Sequence, residues 1–191
     1  MHFDDGTKMR LYRQTVEDFG LYVGRELNSA EMEKLHESAG IMSAKMRAVR
    51  ILASTGVSKK NLEQRLIHKG EKPEHARNAV EWMEDLSLVD DRKTAEQIVQ
   101  RCIVKGYGLA RAKQALYEKR IPKEYWQEVL SDYPDQSDYI LDYLHAHLPV
   151  ATDSKQLRKV MDALIRRGHS YSQIRRALEQ LSVDMEEFPE G

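Results

Sequence analysis

Apolar positions recur at helical spacing along most of the chain. Val49, Leu52 and Ala53 share one helical face, as do Leu62, Leu66 and Ile67, and again Val160, Leu164 and Ile165. Strand-type alternation is confined to the start. There Asp5–Gly6 separates two short alternating segments of MHFDDGTKMRLYR and predicts a small hairpin. SAEMEKLHESA then reads as a short helix with Ser29 at its N-cap. The predicted class is all-α, behind a short extended or hairpin leader.

Three stretches repeat one another: ILASTGVSKKNLEQRL, RCIVKGYGLARAKQAL and ALIRRGHSYSQIRRAL. Each holds a glycine (Gly56, Gly106, Gly168), then any residue, then Ser58, Gly108 or Ser170. Leu66, Leu116 and Leu178 follow ten residues after the glycine, with Leu62, Ala112 and Ile174 four residues earlier. The copies are 50 and 62 residues apart. In each, the glycine ends one helix in the left-handed conformation and the residue two later caps the next. Pro73 and Pro122 open a third helix per copy, where a missing N–H costs nothing, and SVDMEEF is a shorter third version. The expected organisation is a leader over 1–42 and three-helix repeats over 43–91, 92–151 and 152–191. Such units bury their apolar faces against neighbours, in an elongated, curved array.

The Gly106–Tyr107–Gly108 segment is not a dinucleotide loop. A helix pattern precedes it rather than a strand, position 111 is Arg rather than a third glycine, and the same turn recurs twice with serine.

Composition changes this picture in one respect. The net charge of −1 over 191 residues predicts no polyanion partner, but its distribution follows the repeat. Residues 45–69, 99–123 and 155–178 each carry seven Lys/Arg against one Asp/Glu, a net of +6. The segments that follow reverse the sign. Seven acids against two bases give −5 over 71–91, six against none give −6 over 124–142, and five against none give −5 over 179–191. Either the acidic helices pair with a neighbour's basic pair and set repeat order, or a basic stripe faces a phosphate backbone or an acidic groove. The candidate stripe is Arg101, Lys105, Arg111, Lys113, Lys119 and Arg120, continued by Arg158, Lys159, Arg166, Arg167, Arg175 and Arg176.

At this point a resemblance enters. Asp90, Asp91, Gly106, Gly108, Arg111, Leu116, Lys119 and Ile121, in LVDDRKTAEQIVQRCIVKGYGLARAKQALYEKRIPKEYWQEVL, resemble the central pattern of the RecX regulatory proteins of bacteria. AVRILASTGVSKKNLEQRLIHKG resembles that family's first repeat, and the leader is similar to that of longer, Gram-positive-type members, where a further strand precedes it. Ser87 and Arg120 stand where the family usually has glycine. The resemblance implies a cytoplasmic protein of recombination, repair and the SOS response. Such a protein binds the RecA–DNA filament, lies in its groove and modulates, usually by inhibiting, its ATPase, extension and strand exchange, as a monomer without cofactor or catalysis of its own. The alternative is an autonomous nucleic-acid-binding protein whose basic helix pairs meet single- or double-stranded DNA.

Individual residues are read more plainly. Asp91 is placed to cap the helix that RKTAEQIV begins, and Asp90 beside it makes a poor metal site. Arg111 lies in a helix's first turn, where a cation gains nothing from the dipole, so a partner or a local acid must explain it. Tyr107 either stacks on a base or packs on the repeat, and Trp82 and Trp126 read as core or repeat interface. His145 and His147 do not share a helical face and form no zinc site. The lone Cys102 sits in an apolar helical pattern and permits no internal disulfide. No nucleophile–base pair appears at recognisable spacing. No apolar run approaches the roughly 20 residues of a membrane span.

Overall fold

The structure is a computed structural model that describes residues 1–4, 6–53, 56–148 and 153–181. Among them it has ten α-helices and one 3₁₀ turn. The leader makes a single antiparallel bridge, His2 to Lys8, with Gly6 at φ 84° in its turn and Phe3 N–H donating to Thr7 O at 2.9 Å. Asp5 lies outside the described residues. After the short helix α1 (Arg13–Asp18), α2 runs from Ser29 to Leu52 without a break. Its N-cap is Asn28 rather than Ser29, in a reciprocal capping box with Glu31. The expected division at 42/43 therefore falls inside one helix. Gly40, inside that helix, faces His75, whose ring would lie 2.2 Å from any Cβ added at that position.

The helices α3 (Lys59–His68) and α4 (Pro73–Asp85) close the first core with α2. Leu62, Leu66 and Met83 are fully buried there, with Ala44, Ala48, Ala76 and Ala79 between them. Small residues where α2 meets α4 let the backbones approach, and each buried leucine contributes about 1.5–3 kcal/mol. Trp82 packs against this core from its edge, with Lys45 Nζ 5.0 Å above its ring.

The chain divides into two compact units, Met1–Asp91 and Arg92–Gly191. The second holds two clusters. One joins α5 (Asp91–Val104) and α6 (Leu109–Glu118) through Ala95, Ile98, Cys102, Ala112, Leu116 and Ile121. Cys102 is buried, and desolvation pushes its thiol pKa up, as a core residue requires. Trp126 packs against the same cluster and donates to Ile121 O at 3.1 Å. The expected third helix of this repeat is a 3₁₀ turn (Lys123–Tyr125) and a five-residue helix, α7 (Trp126–Leu130). Pro134 follows, and α8 (Ser137–His147) starts afresh.

The other cluster joins α8, α9 (Ser154–Arg166) and α10 (Tyr171–Gln180). Ile140 and Leu144, expected within the second repeat, are fully buried in this third core with Leu164, Ile174 and Leu178. The acidic segment 124–142 is thus divided between two cores. SVDMEEF lies outside the described residues.

Five helices end alike. At Gly70, Ser87, Gly106, Arg120 and Gly168 the backbone is left-handed, with φ between 56° and 91°. Each pairs two N–H groups with carbonyls three and five residues back, the Schellman arrangement: Gly106 to Ile103 and Tyr107 to Cys102, both at 2.9 Å, are one example. Ser87 and Arg120 adopt this conformation without being glycine, at a cost of about 1 kcal/mol each.

Candidate interaction surface

The glycine-rich turn is where two repeats meet. Gly106 ends α5, and Gly108 is the N-cap of α6 without a side chain to accept a bond. Its N–H donates to Arg167 O at 2.9 Å, in the turn between α9 and α10. A Cβ at Gly108 would lie 2.0 Å from Gly168 O, and one at Gly168 would lie 2.3 Å from Arg111 N. The two turns therefore touch backbone to backbone, and no serine cap fits at 108. His169, buried, completes the joint: its Nε2 lies 3.0 Å from Gly106 O, so the proton sits on Nε2. Its Nδ1 is buried without a hydrogen bond, and desolvation holds its pKa below the ordinary imidazole value of 6.5. Tyr139 stacks on His169 with ring centroids 5.9 Å apart and fills the space beside Gly106.

Beside this joint lies a recess of about 320 Å³ lined by Tyr107, Arg111, Tyr143, Ala163, Arg166 and Arg167. The Arg167 guanidinium sits 4.9 Å from the Tyr143 centroid and 5.7 Å from that of Tyr139, and it donates to the Tyr139 hydroxyl. Arg111 pairs with Glu118 at 3.0 Å, which supplies the local acid its position called for. Tyr107 packs against the second core and its carbonyl accepts from Tyr133 Oη at 2.6 Å. Two members of the expected stripe thus have internal tasks.

The remaining members, Arg101, Lys105, Lys113, Lys119, Arg120, Arg158, Lys159, Arg166, Arg175 and Arg176, are exposed. Arg175 reaches Glu179 in its own helix at 3.1 Å. Two ion pairs join different elements within a repeat: Lys59 with Glu84 at 2.7 Å, and Arg92 with Glu128.

Asp91 has a different partner from the one its sequence position suggests. It is 3% exposed in the first turn of α5, and its Oδ1 accepts from the backbone N–H of Lys59, the first residue of α3, at 2.8 Å. Ser58 caps the same helix by accepting from Asn61 N–H, and Ser170 does so for α10 from Gln173. Desolvation raises the Asp91 pKa despite that bond. Leu116 and Ile121 are core, and Asp90 is half-buried. His147 stacks on Tyr143 at 4.0 Å, away from any metal role. Among the described residues, no group of three His, Cys, Asp or Glu side chains could hold a metal ion.

The first unit carries a second basic concavity that the named stripe left out. One lobe, about 580 Å³, is lined by Arg47, Arg50, Ile51, Arg65, His68 and Lys69. The other, about 420 Å³, adds Arg10, Leu11, Tyr12 and Ser43 to the shared Arg47 and Arg50. The +6 count over 45–69 was the available signal, and what sequence could not show was that Arg10 joins it.

No model of a known protein family matches the chain. Individual proteins do. The regulatory protein RecX of Streptococcus gordonii is 26% identical over 188 residues, 96% of this chain and 73% of that one. That of Clostridioides difficile is 24% identical over 187 residues, 95% of this chain and 88% of the relative. A crystal structure of regulatory protein RecX superposes with a TM-score of 0.68 at 16% identity, over 96% of this chain and 91% of that one. The chain is thus similar to the RecX regulatory proteins along nearly its whole length. The crystal structure of RecX from Lactobacillus salivarius, at a TM-score of 0.64 and 19% identity, covers 77% of this chain and 99% of its own. The RecX relatives are named as regulatory proteins, and the all-α fold is theirs. Among the described residues, no helix is long and apolar enough to cross a membrane.

Proposed function

We propose that this chain, like the RecX proteins it resembles, binds the RecA–DNA filament as a cytoplasmic monomer, without catalysis of its own, and lowers the filament's ATPase, extension and strand exchange. The observation that carries the reading is likeness to proteins named regulatory protein RecX over 96% of the chain. The exposed cations of α5, α6, α9 and α10 support an extended polar contact. Arg111 and Arg167 support it only indirectly, by fixing the turns that carry those helices. Asp90, Asp91, Gly106, Gly108, Leu116 and Ile121 serve the fold.

The test is the single-strand-DNA-dependent ATPase of the cognate RecA with this chain titrated in. Activity is expected to fall at well below one copy per RecA. Full activity at excess chain overturns the reading. Arg101, Lys105 and Lys113 changed together to alanine are expected to weaken filament binding while helicity is kept. Unchanged binding moves the interface elsewhere.

A further inference from the structure

We propose that the two-lobed basic concavity of the first unit is a binding site for a short run of single-stranded phosphodiester. Its lobes share Arg47 and Arg50, so they form one track with Lys69 toward one end and Arg10 toward the other. Among the described residues, no Asp or Glu lines either lobe. The nearby carboxylate of Glu71 is buried and already held by Arg47 Nε at 2.8 Å and Ser43 Oγ at 3.0 Å. Arg47 also donates to Lys69 O at 2.6 Å, and Arg50 to the Tyr12 hydroxyl at 3.2 Å, so the two shared guanidiniums are positioned in advance.

Helix dipoles explain part of this charge. Arg50 lies in the last turn of α2, and Arg65 and His68 in that of α3, where cations are favoured. They do not explain Arg10, which enters from the non-helical segment before α1. Like charges converging on one concavity repel unless an anion joins them. Guanidinium forks match phosphate oxygens in pairs. Among the described residues, apolar lining is limited to Leu11, Ile51 and the Tyr12 ring, which gives an amphipathic peptide little to bury. Lobes of this volume take a ligand of a few hundred Å³, which a strand segment satisfies and a duplex does not.

This site is separate from the residues assigned to RecA, and its test contains no RecA, so either can fail alone. The probe is a fluorescein-labelled oligo-dT of about 20 nucleotides, read by anisotropy with the full chain at low salt. The double change Arg10→Glu and Lys69→Glu is expected to weaken binding about tenfold or more. It should also make the slope of log K against log salt shallower by about 1.4, for two lost phosphate contacts. Arg10→Glu alone, outside any helix, is expected to give about half of that slope change and keeps the test valid if the double variant misfolds. Arg175→Glu with Arg176→Glu is expected to leave affinity within about twofold. Polyglutamate is expected to displace the probe poorly. No binding by the unaltered chain, unchanged binding by the Arg10→Glu variants, loss through Arg175 and Arg176 instead, or equal displacement by polyglutamate would each overturn the proposal.

Discussion

The glycine motif occurs three times in the sequence, and the first copy and the second cap the helix that follows it in different ways. In the first, Ser58 caps α3 through its own hydroxyl and a buried carboxylate, Asp91, accepts the next free N–H. In the second, Gly108 offers α6 no side chain, and its N–H is taken by a carbonyl of the third copy. Side-chain capping leaves room around a turn, and backbone docking uses that room up. A glycine that looks like a weak cap by local rules is therefore the residue that lets two repeats share one joint.

The sharpest way to break this contrast is to exchange the caps. Gly108→Ser restores the hydroxyl found in the other copies but places Cβ against Gly168 O, and a loss of about 3 kcal/mol is expected. Ser58→Gly is expected to cost only a few tenths. Urea denaturation of both variants checks this, and a neutral Gly108→Ser would end the docking account. Next in size is Asp91. Asp91→Ala leaves the Lys59 N–H without its acceptor and is expected to cost about 1–2 kcal/mol.

The Asp91 contact and the His169 joint also titrate in opposite directions. The Asp91 pKa is raised, so its contribution is complete below the ordinary value of 3.8 and is lost as pH rises through the folded value. Asp91→Asn keeps an acceptor and is expected to match or exceed the unaltered chain at neutral pH, with that margin gone near pH 3. The His169 pKa is lowered, so the unfolded chain takes up the proton first and stability falls as pH drops below 6.5. His169→Gln is expected to flatten that slope in thermal melts between about pH 5 and 7. Ser87→Gly relieves a left-handed residue at φ 56° and is expected to raise stability by about 1 kcal/mol. Smallest is Glu179→Gln, which breaks an exposed pair one turn apart in α10 and is expected to cost about 0.3–0.5 kcal/mol.

What the sequence made legible was local. Leu62, Leu66, Leu116 and Leu178 were placed in the core by spacing alone, and Ser58 and Ser170 as caps by residue type. The errors come from residues whose meaning depends on a distant neighbour. Asp91 reads as a cap for the helix it opens, yet reaches α3 across 32 positions of chain. Ile140 and Leu144 follow the second repeat in sequence but bury themselves in the third core. Of the expected basic stripe, charge counting found exposed members such as Lys113 and Arg176. It could not separate them from Arg111 and Arg167, whose acid and tyrosine partners appear only in the fold. Nor could it bring Arg10 to the groove of α2 and α3.

The bond from His169 to Gly106 spans 63 residues of sequence. A ribosome adding about 5–20 residues per second leaves Gly106, Tyr107 and Gly108 waiting for several seconds before their counterpart is made. The first unit is complete in sequence long before then, because every partner in its core precedes Asp91. Birth order is thus built into the joint: the first unit can settle as it emerges, and the Gly106 turn is sealed only once His169 and the turn before α10 have been made.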